Sequence, residues 1–232
     1  MVTSAVLMIR PVNFNFNPET AVNNSFQKKM NGNIKEKALA EFNGLYSLLI
    51  QNKIAVTVIE DTDLPATPDA VFPNNWISFH EDNSIFMYPM FALNRRMERK
   101  EHVLRKLQEQ FIISKSYDLS SFEQQSAFLE GTGSMVLDRD YKIAYASVSQ
   151  RTDERVLYEF CRLSGYRPML FTSHDDTGKE IYHTNVMMAV GEHEVLICMD
   201  AIAGDENKER LQFIIKKTGK KIVPISIKQL HH

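Results

Sequence analysis

Four amphipathic helical segments recur along the chain at intervals of roughly 55–60 residues, and about three strand-like segments separate each from the next. Such a period predicts repeated β-β-α-β units, with a single α+β sheet of incidental regularity as the alternative. The helices are expected near 34–51, 95–110, 152–164 and 205–218. The first carries apolar residues at Ile34, Ala38, Leu39, Phe42, Leu45, Leu48 and Leu49. Asn94 is a candidate cap for the second, with Val103, Leu104 and Leu107 facing inward. Gly165 and Gly219 stand where a left-handed residue ends the third and fourth. Strands are expected near 5–10, 54–60, 75–80, 84–90, 111–115, 133–138, 142–148, 168–171, 184–190, 194–199 and 221–226. The turn-rich stretch 61–74 reads as a loop.

With 232 residues, 44% hydrophobic and 24% charged, the chain has the composition of an ordinary globular domain. A net charge of −2 without a basic run argues against nucleic-acid binding. No stretch approaches the roughly 20 apolar residues of a membrane span. The start lacks a basic region before its apolar run, so a cytoplasmic setting is expected. Cys161 and Cys198 form neither a disulfide framework nor a zinc pattern. His174-Asp175-Asp176 is a poor metal motif, because adjacent residues rarely point at one ion, and no metal or cofactor is expected.

Three segments place polar groups beside glycine, asparagine or aromatic residues next to a strand. In the stretch from Asp69 to Trp76, Asn74 and Asn75 either shape a turn or present amides to a ligand. In the stretch from Leu129 to Ser134, Glu130 precedes a small-residue loop, where glycine allows close approach of a ligand. In the stretch from Ile181 to Asn185, His183 is either a structural strand-edge histidine or a proton carrier.

Together these segments resemble the pentein superfamily: arginine deiminases, dimethylarginine hydrolases, amidinotransferases and relatives. Its members are propellers of five β-β-α-β units around a central site. Their Phe-x-Arg-Asp, Glu-Gly-Gly-Asp and His-x-Asp motifs are matched in order by Phe72-Pro-Asn-Asn75, Glu130-Gly-Thr-Gly133 and His183-Thr-Asn185. Further likeness to the amidinotransferase-like, citrulline-hydrolysing branch lies at Arg10-Pro11, in the run from Asn17 to Asn24, and in the run from Asn94 to Arg99. The resemblance covers residues 1–230. It implies an α/β-propeller forming a single domain over 1–232, with about four of the five units present. A further C-terminal segment of roughly 60–80 residues is then expected on the repeat period. An open ring exposes strand edges, a route to homodimerisation. His231-His232 are either native or a tag remnant.

The resemblance also implies a chemistry. A cysteine thiolate attacks the central carbon of a guanidino or ureido group. His183 matches the acid and base, and Glu130 the carboxylate that orients it. Neither Cys161 nor Cys198 follows the family's C-terminal cysteine motif; each reads as a buried core residue, so the nucleophile is expected beyond residue 232. Asn75 and Asn185 stand where arginine-handling relatives have aspartates. An amide pair suits a neutral ureido group, whereas a guanidinium suits carboxylates, so a citrulline-like substrate is favoured over arginine. Arg95 and Arg96 either bind a substrate carboxylate or pair with Glu98 or Glu101. Asn13, Asn15 and Asn17 either line the pocket mouth or edge a loop. Hydrolase, amidinotransferase and non-catalytic pentein binding protein remain as readings.

Overall fold

The computed structural model describes residues 5–24, 27, 29 and 32–230; His231-His232 lie outside them. Among these residues the strands sort into four separate small sheets, one for each of the four longer helices. In the first, β1 (Ala5–Arg10) pairs in parallel with β2 (Ala55–Glu60), and α1 (Ile34–Gln51) makes the crossover. The second pairs β3 (Ile77–Phe79) antiparallel with β4 (Ser84–Met87), then β4 in parallel with β5 (Lys115–Asp118) across α2 (Glu101–Gln110). The third repeats this with β6 (Met135–Asp138), β7 (Ile143–Ser147), α3 (Glu154–Ser164) and β8 (Arg167–Phe171). The fourth does so with β9 (Met188–Val190), β10 (Glu194–Ile197), α4 (Asp205–Lys217) and β11 (Lys221–Pro224).

Local chemistry sets these boundaries. Asp153 accepts the Arg155 backbone N–H and opens α3, and Gly165 closes it at φ 74°. Gly219, also at φ 74°, follows α4. Between successive sheets lie three apolar layers. Ile9, Ile59, Trp76 and Leu107 fill the first, Phe86, Leu129, Leu157 and Phe160 the second, and Met169, Met187, Val195 and Leu211 the third. Each sheet is therefore packed on the next, as blades are.

Several expectations need correction. The four expected units are present among the described residues; what differs is the first, whose sheet has no antiparallel strand beside β1. The helix expected over 95–110 is two pieces, a turn at Leu93–Arg96 and α2 from Glu101, with Lys100 rather than Asn94 at the α2 N-cap. The break is enforced by burial of Lys100, whose Nζ bonds Asp61 at 2.6 Å, and of Arg95, which binds Glu98. The strand expected at 111–115 lies at Lys115–Asp118 instead, because Phe111 and Ile113 pack against the first apolar layer. Of the apolar stripe on α1 only Phe42 is buried, while Leu45 and Leu48 are exposed. Strands expected to start at 75, 133 and 184 start instead at Ile77, Met135 and Met188, each after a short helical turn.

His80, just after β3, accepts or donates a 2.9 Å hydrogen bond with Ser78 Oγ, which also bonds the Tyr88 hydroxyl at 2.6 Å. Burial, aided by the Arg139 charge, lowers the imidazole to about 4. A histidine lowered in the folded state contributes stability that is complete above the ordinary value near 6.5 and is lost as pH falls toward 4. Unfolding free energy should thus drop by about 3 kcal/mol over that window from this residue. Urea melts of H80Q, which keeps a partner for Ser78, should show that part of the drop removed.

Candidate active site

The three turns before β3, β6 and β9 meet at one place. Pro73–Asn75 ends in Asn75, Gly131–Ser134 follows Glu130, and Thr184–Val186 follows His183. They interlock through small residues. Gly131 has φ +45°, and any side chain there would strike the Asn74 carbonyl. A methyl group on Gly133 would lie 2.5 Å from Asn75 Nδ2 and 2.7 Å from His183 Nδ1. Both contacts fall on one point, so the Asn75 amide nitrogen and the imidazole edge are neighbours across Gly133.

Glu130 is wholly buried and His183 is 5% exposed; Nε2 of the ring meets Oε2 of the carboxylate at 2.8 Å. The same oxygen accepts from Arg151 Nη1 at 3.3 Å and lies 4.0 Å from Arg95 Nη1, while Oε1 accepts the Phe91 N–H at 3.1 Å. Burial alone would raise the Glu130 carboxyl, but the His183 bond and the Arg151 and Arg95 charges outweigh it and hold the group well below the usual carboxylate range. Burial lowers His183, against the pull of Glu130. An ionised carboxylate only accepts, so Nε2 carries the proton and Nδ1 is left as the basic nitrogen.

Around this pair lies a cavity of about 170 Å³, smaller than the ~300 Å³ at which drug-sized ligand sites begin. Asn74, Asn75, Arg95, His183 and Asn185 all line it, so the structure brings those sequence candidates together; Glu130 stands behind His183. Asn75 is buried, whereas Asn185 is exposed at the rim. Arg95 is 3% exposed and bidentate to Glu98, Nε at 2.8 Å and Nη2 at 3.1 Å. Burial pushes Glu98 up to about 7 against the pull of Arg95. Arg96 donates to the Met90 carbonyl and approaches Glu123 at 3.6 Å, away from the cavity. Asn13 donates to the carbonyls of Thr62 and Asp63 and edges a loop.

Other cavity residues were not legible as such. Arg151 is 2% exposed, lies 4.7 Å from the Tyr182 ring centroid and donates to the Thr20 carbonyl at 2.8 Å and to Asn23 Oδ1. Thr20 and Asn17 in turn bond Asp69 Oδ2, at 3.1 and 2.7 Å, tying the N-terminal segment over the site. The signal for Arg151 lies in the repeat: it follows the second strand of its unit, as Arg95 does in the unit before. Neither cysteine lines the cavity. Burial pushes the Cys161 thiol up to about 12 and raises Cys198 as well, opposite to what a nucleophile needs. A larger groove, about 650 Å³, runs between β1 and β3 and touches neither Glu130 nor His183. Among the described residues no cluster of three His, Cys, Asp or Glu side chains is arranged for a metal, and no helix is long and apolar enough to cross a membrane.

A family model described as N,N dimethylarginine dimethylhydrolase, eukaryotic, matches residues 10–232. Among solved structures, the chain is similar to apo ArgZ, an arginine dihydrolase from the ornithine-ammonia cycle in cyanobacteria, with TM-score 0.74 and 16% identity over 94% of this chain. It spans 31% of that protein's length. Against the isolated N-terminal domain of ArgZ, solved covalently bound to a reaction intermediate, the TM-score is 0.70 at 16% identity, covering 94% of this chain and 75% of that one. Against a dimethylarginine dimethylaminohydrolase adduct it is 0.56 at 14% identity, covering 99% and 94%. A search of curated protein sequences returns no match. The shared architecture is the pentein α/β-propeller.

Proposed function

The chain belongs to the eukaryotic N,N-dimethylarginine dimethylhydrolase family, and from that premise we propose that it builds the acid–base half of a site that hydrolyses a ureido or guanidino C–N bond, with citrulline the leading substrate. The observation that carries this reading is the buried 2.8 Å Glu130–His183 pair beside the Asn75 amide in a small cavity. The nucleophile in this reading is a cysteine other than Cys161 and Cys198, both of which are buried in apolar layers. A relative of the same fold has been solved with a covalent reaction intermediate, which favours a covalent route here.

The proton bookkeeping follows from the tautomer. The thiol proton passes to His183 Nδ1, and Glu130 stabilises the resulting imidazolium. The thiolate adds to the planar carbon. The C–N bond then breaks as Nδ1 returns the proton to the departing nitrogen. Water next loses a proton to Nδ1 and releases the carbon from sulfur as a carbamic acid, whose remaining C–N bond then breaks spontaneously to give carbon dioxide and the second amine. For citrulline and one water the balanced products are ornithine, ammonia and carbon dioxide.

The charges favour a neutral head. Arg95 and Arg151 stand against Glu98, Asp69 and Glu130; of these acids only Asp69 lines the cavity, and its Oδ2 already accepts from Asn17 and Thr20. Asn75 and Asn185 add none. Full-length protein should turn over L-citrulline faster than L-arginine, measured by ornithine release with no amine acceptor present; faster arginine turnover would contradict the substrate assignment. Arg95, Asn74 and Asn185 complete the set of residues proposed to shape the substrate pocket.

A further inference from the structure

We propose that Thr184 is a positioning residue: its buried hydroxyl, inserted between two strands, ties the turn that carries Glu130 to the turn that carries His183. The inference rests on the reading of that pair as the acid–base half of the site. It starts from a comparison among the repeats. In the second sheet, the register of Ile77 with Met87 is continued by one direct rung, Tyr88 N–H to the Trp76 carbonyl at 2.9 Å. In the fourth, the register of Met188 with Ile197 is continued by Cys198 N–H to the Met187 carbonyl at 3.0 Å. In the third, Met135 stands opposite Ala146, so the same rung would join Ser147 N–H to the Ser134 carbonyl. Among the described residues no such bond forms. Ser147 N–H donates instead to Thr184 Oγ1 at 2.8 Å, and that hydroxyl donates to the Ser134 carbonyl at 2.6 Å.

The rung of the third sheet is thus lengthened by one hydroxyl, and its owner is the neighbour of His183. Ser134 completes the link to the carboxylate. Its own Oγ accepts the Glu130 N–H at 2.9 Å and donates to the Arg151 carbonyl at 2.6 Å. On the other side of His183, the Tyr182 carbonyl accepts from Ser149 Oγ at 2.8 Å. Thr184, Ser134 and Ser147 are wholly buried, so a partner lost there is not replaced by bulk water. The separation of the two turns therefore governs the 2.8 Å bond between imidazole and carboxylate. A direct rung would draw Ser134 onto β7 and shift the Glu130 turn relative to His183.

The test is steady-state kinetics of full-length Thr184→Val and Thr184→Ser on whichever of L-citrulline and L-arginine the wild type turns over faster. Valine keeps the shape of threonine but neither donates nor accepts, so Ser147 N–H and the Ser134 carbonyl either stay unpaired or close on each other. In Thr184→Val, kcat should fall about tenfold or more while KM changes by less than about threefold. Thr184→Ser keeps the hydroxyl, and its kcat should stay within about threefold of wild type. A merely structural threonine would lower stability and leave kcat of the folded valine variant at the wild-type value. That result, or a Thr184→Ser as impaired as Thr184→Val, overturns the inference alone. Should the valine variant fail to fold, a crystal structure of the full-length wild type decides. Thr184 Oγ1 within hydrogen-bond reach of both Ser147 N and the Ser134 carbonyl upholds the inference, and a direct Ser147–Ser134 bond overturns it. A wild type that turns over neither substrate overturns the acid–base reading and this inference with it.

Discussion

Glu130→Gln should lower stability by about 3–5 kcal/mol and turnover in the full-length protein by about a hundredfold or more. The reason is that all of its carboxylate is in use. One oxygen accepts from the Phe91 backbone, the other from His183 and Arg151, and the residue is wholly buried. Glutamine supplies one acceptor and one NH₂. Whichever way it turns, its donor faces a donor, and Arg151 is left in the interior with less opposing charge. Chemistry suffers separately, since an amide cannot stabilise a protonated His183 as an anion does. The pH dependence has a definite sign. Because Glu130 is held below the ordinary carboxylate value, its contribution is complete above that value and is lost as pH falls beneath it. The gap between wild type and E130Q in denaturant melts should therefore be widest near neutral pH and narrow below about pH 4. A gap that is small at pH 7, or that grows in acid, would contradict an ionised Glu130.

Gly133→Ala should cost about 1–3 kcal/mol of stability and at least about a hundredfold in turnover. The added methyl would sit 2.5 Å from Asn75 Nδ2 and 2.7 Å from His183 Nδ1, well inside contact distance. Relief requires either the amide or the imidazole to move, and both are anchored, the first by Arg95 and the second by Glu130. A displacement of the order of 1 Å at a proton-transferring ring is enough to account for a loss of that size. The loss should appear in kcat as well as in KM, because the methyl displaces a reacting group rather than only a binding surface. Wild-type turnover with G133A would mean that the three turns do not form the reaction site.

The repeat was legible because each unit carries its own local signals: an amphipathic helix, a left-handed glycine such as Gly165, and apolar strands on either side. What failed to show were features decided between units. Residues 75, 133 and 184 continue into strand-like sequence, yet fold as helical turns because the three turns pack on one another through Gly131 and Gly133. β5 lies later than the apolar pattern suggests, since the outer strand Lys115–Asp118 is mostly exposed and carries no alternating apolar residues, whereas Phe111 and Ile113 alternate but pack against the first apolar layer. Arg95 was visible as a cation but not as a residue saturated by Glu98 and Asn75. Arg151 has no local partner in the sequence at all; its acid, Glu130, is 21 residues away and its Thr20 carbonyl 131. Glu130 and His183, 53 residues apart, came from the resemblance and not from any periodicity.

The most direct measurement is a crystal structure of the full-length protein with L-citrulline bound. The ureido carbon should lie against His183 Nδ1, with its oxygen accepting from Asn75 Nδ2 and a cysteine sulfur on the opposite side. A ligand seated away from the Glu130–His183 pair, or one whose ureido oxygen points from Asn75 toward solvent, would contradict the account.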